Sequence, residues 1–190
     1  MNIGLYFGSF NPVHTGHLII ASHFANYHHF QQVWLVVSPR NPLKESKNLL
    51  NENHRKHMID LAIEGEYKLR SSNAEFNLPR PSFTIDTLTY LTETYPQHQF
   101  SILMGSDSLS NLSKWKNYEV LLKNFSLYVY ERPGFALISL PGSRIVTTKA
   151  PLLDISSTRI REMIKEGKSV RYLVPDVVME EIHAQQYYRN

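Results

Sequence analysis

Two histidines stand three residues apart in the segment GLYFGSFNPVHTGHL, which begins at residue 4. An apolar run ends at Gly8 and Ser9, and His14 and His17 follow where a helix is expected to begin. Glycine lets a backbone approach a phosphate closely, and the free N–H groups at a helix start attract anions. An imidazole N–H adds a donor for a group that gains negative charge. The segment therefore predicts an anion site suited to phosphoryl or nucleotidyl transfer.

The histidine pair also has plainer interpretations. Without its context, such a pair is more often two solvated or hydrogen-bonded side chains. A zinc site needs a third ligand and usually a fourth, and the chain contains no cysteine. The segment matches neither the G-x-x-x-x-G-K-[ST] phosphate loop nor the G-x-G-x-x-G loop. The pair alone therefore does not decide the chemistry.

A second segment, ISSTRIRE at 155–162, also has the composition of an anion-binding helix start. Ser156 is predicted to cap the helix, and Ser157, Thr158 and Arg159 crowd its first turn, with Arg161 just beyond. By itself, S-S-T at a helix start is usually only a cap. Hydroxyl, N–H and guanidinium groups together favour a polyphosphate site. Two such helix starts in one chain strengthen the prediction of a nucleotide site.

The composition excludes several classes of protein. The chain has 190 residues, 42% hydrophobic and 19% charged, which is typical of a globular protein and favours one domain over 1–190. Without cysteine there are no disulfides, thiolate metal sites or cysteine nucleophiles, which fits a reducing cytoplasm. The net charge of +3 is small and spread out, unlike a nucleic-acid-binding surface. No run is long enough to span a bilayer and no signal peptide is recognisable, so a cytoplasmic protein is expected.

Short apolar runs alternate with amphipathic segments along the chain. This pattern predicts an α/β fold: a doubly wound, Rossmann-like parallel sheet with helices on both faces. Strands are predicted at 2–7, 32–38, 69–76, 99–105, 125–134 (running into a turn) and 144–148. Helices are predicted at 15–27, 51–65, 83–96, 155–167 and 174–188, with two short ones within 109–124. In such sheets ligands bind beyond the carboxyl ends of the strands.

The two end segments, GSFNPVHTGHL and ISSTRIRE, resemble the signature of the nucleotidyltransferase superfamily that carries the H-x-G-H motif. Its members transfer AMP or CMP from a nucleoside triphosphate. The resemblance implies that His14 and His17 stabilise charge on the transferring and leaving phosphates. It further implies that Lys44 and Arg159 clamp the triphosphate. The remaining ATP-binding residues that it implies are Gly8, Ser9, Phe10, Gly16, Ser156, Ser157 and Thr158.

The middle of the chain indicates which members of this superfamily the sequence resembles. RPSFTIDTLTYL and ILMGSDSLSNLSKW are similar to segments of the nicotinate (or nicotinamide) mononucleotide adenylyltransferases, and the likeness extends from residue 2 to residue 188. Trp115 offers a ring face to a pyridine, with core packing as the alternative. Asp107 suits a ribose, or else caps a helix. The acceptor-binding residues implied by the resemblance are Thr84, Gly105, Asp107, Trp115 and Arg132.

One loop departs from the family pattern. The family usually shows P-x-x-P-H-[KR] after the second strand, whereas this chain reads SPRNPLKES, with Leu43 in place of the histidine. Lys44 remains a candidate for the triphosphate or the acceptor phosphate. The departure bears on how this loop closes over substrate and leaves the reaction class unchanged.

The resemblance implies one reaction and several alternatives. ATP and nicotinic acid mononucleotide would give deamido-NAD and pyrophosphate, with Mg²⁺ arriving on ATP rather than in a protein metal site. The C-terminal part, about 155–190, would complete the ATP site. Nicotinamide mononucleotide and phosphopantetheine are the alternative acceptors. A non-catalytic protein that senses ATP or NAD is the alternative of a different class. The oligomeric state, including a homo-oligomer, stays open.

Overall fold

A computed structural model describes residues 1–40, 49–137, 140 and 142–189. These residues form a six-stranded sheet in the order β3-β2-β1-β4-β5-β6, and every neighbouring pair is parallel. This order is that of a doubly wound, Rossmann-like sheet, so the predicted α/β fold is confirmed. The strands are β1 (Asn2–Gly8), β2 (Gln32–Val37), β3 (Leu69–Ser72), β4 (Gln99–Gly105), β5 (Ser126–Tyr130) and β6 (Arg144–Thr148).

Helices follow the strands much as the periodicity predicts. The described α-helices are α1 (Thr15–Tyr27), α2 (Glu52–Ala62), α3 (Thr84–Thr94), α4 (Ser106–Leu109), α5 (Tyr118–Asn124), α6 (Ser157–Lys165) and α7 (Asp176–Ala184). Asn51 caps α2 by accepting a bond from the Asn53 N–H at 2.9 Å. Helix α2 ends three residues before Gly65, which lies in the following turn with φ +82°. Within 109–124, where two short helices are predicted, the structure has a 3₁₀ turn at Leu112–Lys114 and the helix α5, while α4 lies almost entirely before this tract.

Successive residues of β2 pack on opposite faces of the sheet, in two separate core clusters. Val33, Leu35 and Val37 belong to a buried cluster that α1, α2, α6 and α7 cover. Trp34 and Val36 belong to a second cluster, which α3, α4 and α5 cover. This alternation explains why the strand reads as a continuous apolar run. The two C-terminal helices share their core with α1 and α2. Among the described residues, no helix is long and apolar enough to cross a membrane.

The third strand is shorter than predicted because the chain turns inward after it. β3 ends at Ser72, and the next residues form a turn in which the Phe76 N–H bonds the Asn73 carbonyl at 2.9 Å. This turn buries the Glu75 carboxyl, which is 2% exposed. Ser82 and Thr87 donate to it at 2.6 and 3.1 Å. Glu75 therefore links the turn to the start of α3.

Replacing Glu75 by glutamine is expected to stabilise the protein near neutral pH, by on the order of 1 kcal/mol. Burial raises the pKa of the Glu75 carboxyl, so the folded chain holds its proton more tightly than the unfolded chain does. The contribution of Glu75 to the free energy of unfolding therefore falls as the pH rises above the ordinary pKa of a glutamate side chain. Urea unfolding of wild type and Glu75→Gln between about pH 5 and pH 7.5 measures the effect.

The matched control is Glu93→Gln, which alters an exposed carboxylate on α3. Its difference from wild type is expected to stay close to zero. A Glu75→Gln variant that loses stability relative to wild type as pH rises would show that the hydroxyl bonds outweigh the burial of the charge.

Candidate active site

The first strand ends in a tightly folded loop. The Ser38 N–H donates to the Gly8 carbonyl at 2.9 Å, which extends the β1–β2 pairing to this point. Phe10 adopts a left-handed conformation, φ +46°, and its ring lies over Gly8. A Cβ at Gly8 would stand 2.8 Å from the Phe10 ring, so this close approach requires glycine. The loop then leads to His14, which caps α1.

His14 and His17 cap the helix reciprocally. The His17 N–H donates to His14 Nδ1, and the His14 N–H donates to His17 Nδ1, both at 3.3 Å. The rings stack with their centroids 3.6 Å apart and their planes 24° apart. Because each Nδ1 accepts a bond, the hydrogen of each ring lies on Nε2. The cap thus fixes two N–H donors side by side at the start of α1.

Burial and a nearby cation keep His14 neutral. The side chain is 5% exposed, and burial, followed by the positive charge of Arg132, lowers the pKa of His14 to about 4. Gly16 makes room for the ring, since a Cβ at Gly16 would stand 3.2 Å from His14 Cε1 and Nδ1. At neutral pH His14 is therefore a neutral hydrogen-bond donor.

The second predicted helix start docks on the same loop. Ser157 donates from Oγ to the Pro12 carbonyl at 2.9 Å, and Arg161 donates to the Asn11 carbonyl at 2.7 Å. Ser156 caps α6 as predicted, accepting the Arg159 N–H at 3.2 Å. Two segments about 145 residues apart in the chain thus meet at one place.

The side chains of the first turn of α6 point in different directions. Thr158 accepts a bond from Arg161 at 3.3 Å. The exposed guanidinium of Arg159 lies back along its own helix, 3.4 Å from Glu162 and 3.8 Å from Glu166. Such exposed ion pairs are weak, so a polyphosphate can compete for Arg159.

A charged pair lies at the ends of β4 and β5. Arg132 bonds Asp107 at 3.0 Å, and the Arg132 N–H donates to Ser106 Oγ at 2.9 Å. The other carboxylate oxygen of Asp107, Oδ1, is buried and has no hydrogen-bond partner among the described residues. A Cβ at Gly105 would stand 2.9 Å from Arg132 Cδ and 3.0 Å from Tyr130 Cζ, so glycine is needed there.

Electrostatics connects this pair to the histidines. The positive charge of Arg132 lowers the pKa of His14. The same charge acts to lower the pKa values of Tyr6 and Tyr130, which hydrogen-bond each other. Residues from the ends of β1, β4 and β5 therefore share one polar region, at the sheet edge where α/β proteins bind ligands.

Two predicted acceptor residues lie on the other face of the sheet. Thr84 is the first residue of α3, and Trp115 is half-buried against the cluster beneath α3. In the part of the chain that the structure describes, no hydrogen bond or ring contact joins either residue to the histidine pair. Lys44 and Leu43 lie outside the described residues.

Sequence reasoning missed two buried polar residues next to the site, Arg55 and Glu75. Arg55 precedes Met58 and Ile59 by three and four residues, so it lies on the buried face of α2. The sequence signal that could have identified Arg55 is a charged residue at helical spacing from apolar residues that form the buried face. Glu75 offers no such signal, because it lies within the segment 69–76 that the sequence predicts as an extended strand.

Comparisons with known proteins define the class. Residues 5–163 match the family described as cytidylyltransferase-like. Proteins named "Probable nicotinate-nucleotide adenylyltransferase" from Cytophaga hutchinsonii and Flavobacterium johnsoniae are 48% and 47% identical, each over the full length of both chains. The structure of Plasmodium falciparum nicotinic acid mononucleotide adenylyltransferase complexed with NaAD has the same fold, with a TM-score of 0.83 and 21% identity. That alignment covers 98% of this chain and 97% of the other.

The matches place the chain first in a broad class and then in a narrower one. It belongs to the cytidylyltransferase-like family and, within that family, to the nicotinate-nucleotide adenylyltransferases.

Proposed function

We propose that this protein transfers the adenylyl group of ATP to nicotinic acid mononucleotide, giving deamido-NAD and pyrophosphate. The observation that carries the proposal is the docking of α6 on the loop that holds the histidine pair, through Ser157 and Arg161. This contact places two anion-ready helix starts at one loop. The names of the full-length relatives support the identity of the acceptor.

The reaction needs positioning and charge stabilisation more than covalent catalysis. An oxygen of the acceptor 5′-phosphate forms a bond to the α-phosphorus of ATP. The bond from that phosphorus to the bridging oxygen breaks, and its electron pair leaves with pyrophosphate. The Nε2–H groups of His14 and His17 donate to phosphate oxygens as negative charge shifts toward the leaving group. The nucleophile is already an anion, so no covalent enzyme intermediate is required.

The two ends of the chain share the binding of ATP in this proposal. Gly8, Ser9, Phe10 and Gly16 let the backbone approach the nucleotide. The N–H groups at the start of α6, with Ser156, Ser157, Thr158 and Arg159, hold the triphosphate together with Lys44. The C-terminal part, about 155–190, thereby completes the ATP site within a single domain.

The acceptor binds toward β4 and β5. The partly exposed Asp107 carboxylate can accept a bond from a ribose hydroxyl, and Arg132 can contact a phosphate. Gly105 keeps this pair in place. Trp115 offers its ring face to the pyridine, and the first turn of α3 at Thr84 offers N–H groups to the acceptor carboxylate.

Nucleotidyltransferases of this family generally use a divalent metal ion with ATP. We propose that the ion is Mg²⁺ and that it enters on the triphosphate. The donors at the site are imidazoles, hydroxyls and guanidinium groups, which suit phosphate oxygens better than a hard cation. Among the described residues, no group of three or more His, Cys, Asp or Glu side chains could hold a metal ion. Phosphate oxygens and water would therefore supply most of its ligands.

The decisive experiment measures pyrophosphate release from ATP and Mg²⁺ with a panel of acceptors. Rapid release with nicotinic acid mononucleotide is expected, with lower kcat/KM for nicotinamide mononucleotide and none for phosphopantetheine. A preference for another acceptor would retain the chemistry and overturn the substrate. Tight ATP binding without pyrophosphate from any acceptor would indicate a nucleotide sensor instead.

A further inference from the structure

Arg55 is a charged residue in the interior of the protein. Its side chain is 0% exposed and lies on the same face of α2 as Met58 and Ile59. Burial lowers the pKa of the Arg55 guanidinium to about 10, so it remains charged at neutral pH. Among the described residues, no carboxylate lies within ion-pair distance of it. An unpaired buried charge is costly unless its hydrogen bonds are satisfied.

Among the described residues, the guanidinium makes four hydrogen bonds, and all four go to backbone carbonyls. It donates to Ser9 at 2.5 Å, to Ser38 at 2.9 Å, to Pro39 at 3.2 Å and to Leu50 at 2.7 Å. These carbonyls come from the loop after β1, the loop after β2 and the residue next to the cap of α2. One side chain thus holds together three segments at the carboxyl edge of the sheet.

These bonds also fix the direction of two amide groups. In a planar trans peptide the C=O and the following N–H point in opposite directions. Because the Ser9 and Pro39 carbonyls face Arg55, the N–H groups of Phe10 and Arg40 point away from it. Among the described residues, neither N–H has a hydrogen-bond acceptor. Phe10 is only 2% exposed, so its unused donor calls for a partner.

We infer that Arg55 is a positioning residue that aims the Phe10 and Arg40 amides at the phosphates of the substrate. By turning carbonyls inward it removes acceptor oxygens, which would repel an anion, and presents donors instead. Its buried positive charge adds to the favourable potential for phosphate. The inference rests on the proposed function, because these loops border the proposed ATP site.

The first test uses the wild-type protein, with ATP as the only ligand. Amide resonances are followed by ¹⁵N-resolved NMR during an ATP and Mg²⁺ titration. The Phe10 and Arg40 protons are expected to move downfield, as they do when an N–H donates to a phosphate, while amides of β6 stay in place. If either proton keeps its shift at saturation, the inference is wrong for that loop. No acceptor is present, so this result is independent of which acceptor the enzyme uses.

The second test compares Arg55→Lys and Arg55→Met with Arg144→Met. Arg144 also donates to a backbone carbonyl, that of Asn124 at 2.9 Å, but at the far edge of the sheet. Lysine keeps the charge but cannot span four carbonyls. At a temperature where unfolding curves show each variant fully folded, both Arg55 variants should bind ATP about 10-fold more weakly or worse, with kcat reduced by a similar factor. Arg144→Met should match wild type.

A purely structural role gives a different result. Arg55→Lys would then lower Tm, but its folded fraction would bind ATP and turn over like wild type, and the inference would fail. The proposed function is judged separately, by whether wild type releases pyrophosphate with nicotinic acid mononucleotide.

Discussion

Replacing His17 by alanine is expected to reduce turnover about 10²-fold or more while the protein remains folded. The His17 ring stacks on His14 at 3.6 Å, and its Nδ1 accepts the His14 N–H, so the donor proposed for the substrate is the N–H at Nε2. Alanine removes that donor together with one bond of the cap, whose loss alone costs about 1 kcal/mol of stability. Pyrophosphate release measures turnover, and circular dichroism and thermal unfolding measure the fold.

Two further substitutions separate the donor from the cap. Asparagine at 17 places a carbonyl oxygen near the position of Nδ1, so His17→Asn should keep the cap bond but lose turnover as alanine does. Glutamine reaches the position of Nε2 with an N–H, so His17→Gln should recover part of the activity. His23→Asn is the matched control, because His23 lies on the same helix and bonds Thr148 at 3.1 Å. A His17→Asn variant with wild-type turnover would remove His17 from the chemistry.

The elements that the sequence predicted best are those governed by local rules. α1, β4 and β6 have the predicted bounds, since apolar periodicity and short-range capping determine them. Ser156 and Asn51 cap their helices as expected. Parallel order followed from the alternation of strands and helices, because such connections leave few topologies.

The features that the sequence did not reveal depend on contacts between distant segments. Nothing local indicates that Arg161 bonds the Asn11 carbonyl, or that Tyr188 donates to the Asn11 side chain at 2.9 Å. The reciprocal cap of His14 and His17 was equally hidden, because histidine is not among the preferred capping residues. The motif indicated which residues would bind phosphate, whereas packing determined how they are held.

Because packing buries His14 in its neutral form, this residue is expected to destabilise the folded protein in acid. The folded chain keeps His14 unprotonated down to a pKa of about 4, whereas an unfolded chain takes up this proton near 6.5. Protons therefore bind preferentially to the unfolded chain between these values. The free energy of unfolding falls as pH falls through this range, by about 3 kcal/mol attributable to His14. Stability from this group is fully present above about pH 6.5.

His14→Asn isolates the effect, because asparagine is a good cap that does not titrate. Urea unfolding at a series of pH values measures the free energy of unfolding of both proteins. As pH falls from about 7 to about 4, His14→Asn should become more stable relative to wild type. Arg132→Met should weaken the dependence, since the charge of Arg132 is the second cause of the low pKa. A difference that stays constant across this range would mean that His14 is solvated or already charged in the folded protein. The proposal that His14 acts as a neutral hydrogen-bond donor in the reaction would then be wrong.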